Sequence, residues 1–102
     1  MILYNVTLNV DTDVHEDWLA WMKAIHIPDV MDTGCFKSYR ICQLLRQAEE
    51  GITYSIQYIC EDTKTLHFYQ VNHAPELQKE HQERYGDKVL AFRSLLEVIE
   101  EG

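Results

Sequence analysis

Apolar residues stand at every second position at the start of the chain. Ile2, Tyr4, Val6, Leu8 and Val10 fall on one side, and Asn5, Thr7 and Asn9 on the other. This period of two predicts a strand with one buried face. The alternation returns at Ile52, Tyr54, Ile56, Tyr58 and Cys60 against Thr53, Ser55 and Gln57, and predicts a second strand. Between them the period changes. Val14, Trp18, Trp21, Met22 and Ile25 recur at helical spacing, with His15, Glu16, Asp17 and Lys23 on the wet side. Asp13 with Glu16 resembles a capping box at the helix start. Pro28 disfavours helical geometry at Ile27, so the helix is expected to stop at His26, where the helix dipole favours a protonated imidazole. Residues 29–34 then read as a loop, with Gly34 suited to an unusual backbone angle.

Residues 36–45 carry a mixed pattern, but Tyr39, Ile41 and Leu45 favour a strand, and Ala48-Glu49-Glu50-Gly51 reads as a hairpin turn. Asp62 and Thr63 offer caps for a helix with Leu66, Tyr69 and His73 along one side. Pro75 breaks it near residues 72–74 and fits the first turn of a second piece. That piece carries Leu77, His81 and Tyr85 and stops at Gly86. Residues 88–99 fit either period. Val89, Phe92, Leu96 and Ile99 suit a helix, whereas Leu90, Phe92, Leu96 and Val98 suit a strand. The turn at Gly86-Asp87, and the edge that a helix here would leave uncovered, favour the strand.

The order strand, helix, strand, strand, helix, strand predicts an α+β, ferredoxin-like βαββαβ sandwich, with a four-stranded antiparallel sheet and both helices on one face. The first and third strands are then central neighbours. Their helix-free faces carry Asn5 and Thr7 beside Thr53, Ser55 and Gln57; Arg40 and Arg93, on outer strands whose register the pattern does not fix, are candidates for the same face. Such a face is either solvated or packs against a second copy as a symmetric homodimer, enclosing a polar-lined cavity. Spacing leaves both open.

With 102 residues, one domain spanning 1–102 is expected. A formal charge of −8 argues against a nucleic-acid partner, which would call for a basic footprint. Three cysteines without a close pairing read as free thiols in a reducing cytoplasm, and no apolar run is long enough to cross a membrane. The opening residues alternate and lack the basic region of a signal peptide.

His26 is the candidate catalytic residue, a general acid or base at a cavity mouth, although a helix cap is its simpler role. Trp21 is placed to reach a pocket edge, while Trp18 and Met22 read as core. Asn5, Thr7, Arg40, Ser55, Gln57 and Arg93 form the main candidate ligand site, able to hydrogen-bond a carboxylate-bearing molecule. The alternative for this set is a hydrated sheet face. His67, His73 and His81 are split by the proline break, and no Cys–His spacing matches a closed site, so no metal is expected. No motif calls for a cofactor.

Met-Ile-Leu-Tyr-Asn-Val-Thr, Trp-Leu-Ala-Trp-Met-Lys followed by His-Ile-Pro-Asp-Val, Gly-Ile-Thr-Tyr-Ser-Ile-Gln-Tyr and Tyr-Gly-Asp-Lys-Val-Leu-Ala-Phe-Arg together resemble a bacterial family of short proteins classed as a domain of unknown function, DUF4286. The resemblance spans nearly the whole chain. It implies the dimeric α+β barrel, in which two ferredoxin-like protomers pair sheet to sheet, and it supports the strand at residues 88–99. It implies no established activity. The wider superfamily includes cofactor-free monooxygenases, haem-degrading enzymes and small-molecule isomerases, but fold alone does not transfer a function. Two readings follow: a dimer binding a small polar or anionic molecule, with the option of cofactor-free catalysis, or an assembly module whose sheet face serves only pairing.

Overall fold

The computed structural model describes residues 1–45 and 50–102. Four strands, β1 (Ile2–Val10), β2 (Ser38–Gln43), β3 (Ile52–Cys60) and β4 (Val89–Glu97), form one antiparallel sheet in the order β2-β3-β1-β4. The helices α1 (His15–Trp21), α2 (Ile27–Asp32), α3 (Thr63–Asn72) and α4 (Ala74–Tyr85) supply the other layer. This is the α+β, ferredoxin-like sandwich expected from the alternation, with β1 and β3 central.

Pairing of Tyr4 with Tyr58 and of Val6 with Ile56 puts these side chains on one face, where they join Leu8, Val10, Tyr54 and Cys60 in the core. From the helix layer, Trp18, Met22, Ile27, Val30, Leu66 and Tyr69 close onto them. Phe36, just before β2, stacks on Tyr4 at 5.9 Å and meets Tyr69 edge-on at 4.7 Å, which locks the loop before β2 to α3.

The first helical segment departs from the pattern expected of it. It does not stop at His26. Residues Met22–His26 form a π-helical turn that runs directly into α2, and Ile27 has ordinary helical angles of φ −63° and ψ −44°. The Ile27 N–H donates to the Met22 carbonyl five residues back. A proline inside an α-helix lacks a donor and its ring collides with the carbonyl four residues earlier. One extra residue in the preceding turn opens that spacing, and the chain continues through Pro28. The insertion also shifts the helical phase. Met22 and Ile27, five apart, are both fully buried, while Ile25, expected on the inner stripe, is exposed. The segment read as a loop is therefore helical to Asp32, and Gly34 follows with φ +75°.

Two further expectations are corrected. No side chain caps α1; instead Asp11 Oδ1 accepts the Asp13 N–H at 2.9 Å, so the turn is closed from Asp11 and not by an Asp13–Glu16 box. The strand expected over residues 36–45 is confined to Ser38–Gln43. Ala48 and Glu49 of the expected hairpin turn lie outside the described residues. Asp62 Oδ1 caps α3 by accepting the Thr65 N–H at 2.8 Å, and the helix breaks at His73 and restarts with Pro75 in its first turn, as read from the sequence. Among the described residues no helix is long and apolar enough to cross a membrane.

Candidate functional site

The sheet separates residues that the sequence reading had grouped. Asn5 pairs with Gln57, Thr7 with Ser55 and Arg40 with Gln57, so Asn5, Thr7, Ser55, Gln57 and Arg40 share the open face. Arg93 does not join them. It stands opposite Val6, on the helix-covered face. The cause is a phase difference of one residue: Leu90, Phe92, Ser94 and Leu96 face outward, and Val89, Ala91, Arg93 and Leu95 inward. His26 is also on the helix side. It belongs to no cavity between paired sheets.

On the open face the polar side chains satisfy one another. The Ser55 hydroxyl donates to Asn5 Oδ1 at 2.6 Å, Asn5 Nδ2 donates to Thr7 Oγ1 at 3.0 Å, and Gln57 Nε2 donates to Ser55 Oγ at 3.3 Å. Along β4 this ladder is flanked by Leu90, Phe92 and Leu96, which are 66%, 65% and 51% exposed.

Beneath the other face, between the helices and the central strands, lies a chamber of about 40 Å³ that is not sealed from solvent. His26, His81, Arg93, Gln78, Tyr4, Tyr58 and Tyr69 are its polar lining residues, with Met22 and Leu77 among the apolar ones. The π turn brings His26 here: Trp18, Met22 and His26 succeed one another at four-residue steps along the inner stripe before the phase shift delivers Ile27. His26 Nδ1 is fully buried and has no hydrogen-bond partner. Such orphaned groups are rare in folded proteins and call for a reason. Burial pushes the His26 imidazole down to about 4, and the nearby His81 and Arg93 act in the same direction. His26 is thus neutral at pH 7, the reverse of the protonated cap expected from the helix dipole.

His81 is held differently. Trp18 Nε1 lies 2.9 Å from His81 Nε2. An indole N–H can only donate, so His81 Nε2 accepts, and the neutral ring carries its proton on Nδ1. Burial and the Arg93 charge push this histidine down to about 4 as well. Arg93 donates from Nε to the Tyr4 hydroxyl at 3.1 Å, and none of the ion pairs among the described residues involves it. Burial raises the Tyr58 and Tyr69 hydroxyls above their ordinary range, which keeps them neutral. Trp21 does not line the chamber. Its ring packs on His26 at 5.2 Å from outside, with the Arg84 guanidinium 5.4 Å from its centre.

Chemically, the chamber offers one unpartnered neutral imidazole nitrogen and a second imidazole with a fixed tautomer beside an aromatic wall, with the guanidinium of Arg93, an exposed residue of the edge strand, at its rim. His81, Gln78, Tyr4, Tyr58 and Tyr69 were not among the residues singled out from sequence as a site. For His81 a signal existed, because Leu77, His81 and Tyr85 are the inward stripe of an otherwise polar helix. Among the described residues no group of three or more His, Cys, Asp or Glu side chains is placed to hold a metal ion.

Comparison with solved structures places the fold. An ethyl tert-butyl ether D (EthD) family protein from Bacillus halodurans aligns with a TM-score of 0.74 at 11% identity, covering 97% of this chain and 100% of its own. A cofactor-independent oxygenase from Streptomyces nogalater aligns at 0.69 and 10% identity, covering 98% and 95%. A dimeric ferredoxin-like protein from an uncultured marine organism aligns at 0.62 and 11% identity, covering 99% and 97%. No curated protein matches the chain. The family described as Domain of unknown function (DUF4286) matches residues 1–99.

Proposed function

We propose the following for a chain that belongs to the DUF4286 family: it binds a small polar or anionic molecule in the chamber between helices and sheet, and works as a homodimer paired through the open sheet face. The observation that carries the binding reading is the buried, unpartnered Nδ1 of His26 in a chamber that also holds Arg93. A neutral imidazole nitrogen without a protein partner is free to hydrogen-bond a ligand or to exchange a proton with it. The Arg93 guanidinium, paired with no carboxylate among the described residues, favours an anionic group there. His26 is the acid–base residue of this reading and Arg93 the anchor, and the chemistry they can perform without a cofactor is proton transfer. The likeness to a cofactor-independent oxygenase is in keeping with this at the level of fold.

The open face carries the pairing half of the proposal. Its central polar ladder is already satisfied internally, while Leu90, Phe92 and Leu96 are exposed beside it, the composition of a surface that buries on association. A dimeric relative in fold supports it. Asn5, Thr7, Ser55, Gln57 and Arg40 then serve the interface. An assembly module without a ligand is the other reading, and the apolar strip on β4 favours it as far as pairing goes; it gives no reason for the His26 orphan.

Native mass spectrometry of the wild-type protein and of a His26→Ala, Arg93→Gln double variant tests both halves. The expected result is a dimer in each, with an anionic small-molecule adduct on the wild type alone. A monomeric wild type contradicts the pairing, and an adduct retained by the double variant contradicts the site.

A further inference from the structure

The chamber shares Gln78, His81 and Arg93 with a second depression on the outside of the molecule, a groove of about 590 Å³ between α4 and β4. These three side chains form a wall common to both spaces, with His26 on the inner side; on the outer side Pro75, Val89 and Ala91 give the groove an apolar strip, and Lys79, Gln82 and Asp87 a polar one. The two spaces differ greatly in size. At about 40 Å³ the chamber has room for roughly three waters, well short of the ~150 Å³ cavity known to take up a benzene ring. A whole metabolite does not fit it, but a group of three heavy atoms does.

The common wall is rich in donors. Arg93 uses Nε on Tyr4, and its two terminal NH2 groups, the fork that matches a carboxylate, have no partner among the described residues. Trp18 fixes the proton of neutral His81 on Nδ1, and that N–H has no partner among the described residues. Gln78 adds an amide. Among the described residues no Asp or Glu lines the chamber; Asp87 and Lys79 line the outer groove.

From this two-compartment geometry we infer that the ligand is a monocarboxylic acid with an apolar body, its carboxylate held at the common wall by Arg93 and the His81 Nδ1–H, facing His26, and its body lying in the α4–β4 groove. The inference rests on the reading of the chamber as a ligand site and adds the ligand class and the second compartment.

Calorimetric titration with acetate, hexanoate and hexanamide tests it on the intact protein. Each methylene seated against the apolar part of the groove, at Pro75, Val89 and Ala91, tightens binding by roughly two- to fourfold, so hexanoate is expected to bind at least about tenfold tighter than acetate. It is also expected to bind at least about tenfold tighter than hexanamide. Arg93→Gln removes the preference for the acid over the amide. Equal binding of acetate and hexanoate overturns the groove while leaving an anion site in the chamber. Equal binding of acid and amide, or a preference that survives Arg93→Gln, overturns the carboxylate assignment. Absence of binding by every probe overturns the inference, while the chamber reading itself falls only if the double variant keeps the wild-type adduct.

Discussion

Acidification is the sharpest perturbation for a fold that holds two half-buried, neutral histidines. His26 and His81 both sit near 4 in the folded chain, against about 6.5 for an unperturbed imidazole. Between these values the unfolded chain binds more protons than the folded one, so stability rises with pH through the window. Read downward, stability is intact above about pH 6.5 and is lost progressively as pH falls towards 4. Each histidine contributes a slope of up to about 1.4 kcal/mol per pH unit inside the window, and the two together up to about 2.7. Against a total of about 5–15 kcal/mol for a domain, two units of acidification then consume a large share. The assay is urea unfolding followed by tryptophan fluorescence at pH 7.5, 6.0 and 5.5, before most carboxylates titrate. His81→Gln keeps an acceptor for Trp18 Nε1 and is expected to lose about half of the slope; His26→Gln is expected to do the same. A wild-type slope below a few tenths of a kcal/mol per unit, or slopes unchanged in both variants, would refute the burial of neutral imidazoles.

Trp18 is fully buried and bonded to His81, so Trp18→Phe loses ring volume and one hydrogen bond and is expected to cost about 2–3 kcal/mol in urea unfolding. Trp21→Phe, at a half-buried position with no side-chain hydrogen bond among the described residues, is expected to cost about 1 kcal/mol or less by the same measurement. At Gly51, φ is +78° and an added Cβ would lie 2.5 Å from Asn9 Oδ1, so Gly51→Ala is expected to destabilise by about 1–2 kcal/mol in thermal or urea melts. Phe92→Lys on the open face is expected to convert the proposed dimer to a monomer in gel filtration while leaving the circular dichroism spectrum unchanged. A dimer that survives this change would move the pairing surface elsewhere.

The layers of this fold were legible where one face is apolar and the other polar. β1 and β3 occupy Ile2–Val10 and Ile52–Cys60, as their alternation requires, and Pro75 marks the restart of the second helical pair. The site was less legible, for two physical reasons. The rule that proline ends a helix describes the α-helical ladder, and a single π turn at Met22–His26 evades it. That turn moves Ile25 out, keeps His26 in and carries the chain through Pro28. The second reason is β4, where Leu90, Phe92 and Leu96 on one face and Val89, Ala91 and Leu95 on the other are both apolar. With no contrast between faces, the side on which Arg93 falls is set by pairing with β1 and not by pattern. His26 was visible as a candidate from its place before the proline, but its partners came from α4 and β4, whose phase only the folded chain fixes.

The most direct test of the chamber is long-range ¹H–¹⁵N NMR of the histidine rings, with side-chain amide spectra recorded alongside, as hexanoate is titrated in. Binding beside His26 shifts the ring nitrogens of His26 and His81 and leaves the Asn5 and Gln57 amides on the far side of the sheet unmoved. Shifts confined to Asn5 and Gln57, with both histidines silent, would place the ligand on the open face and contradict the chamber as the site.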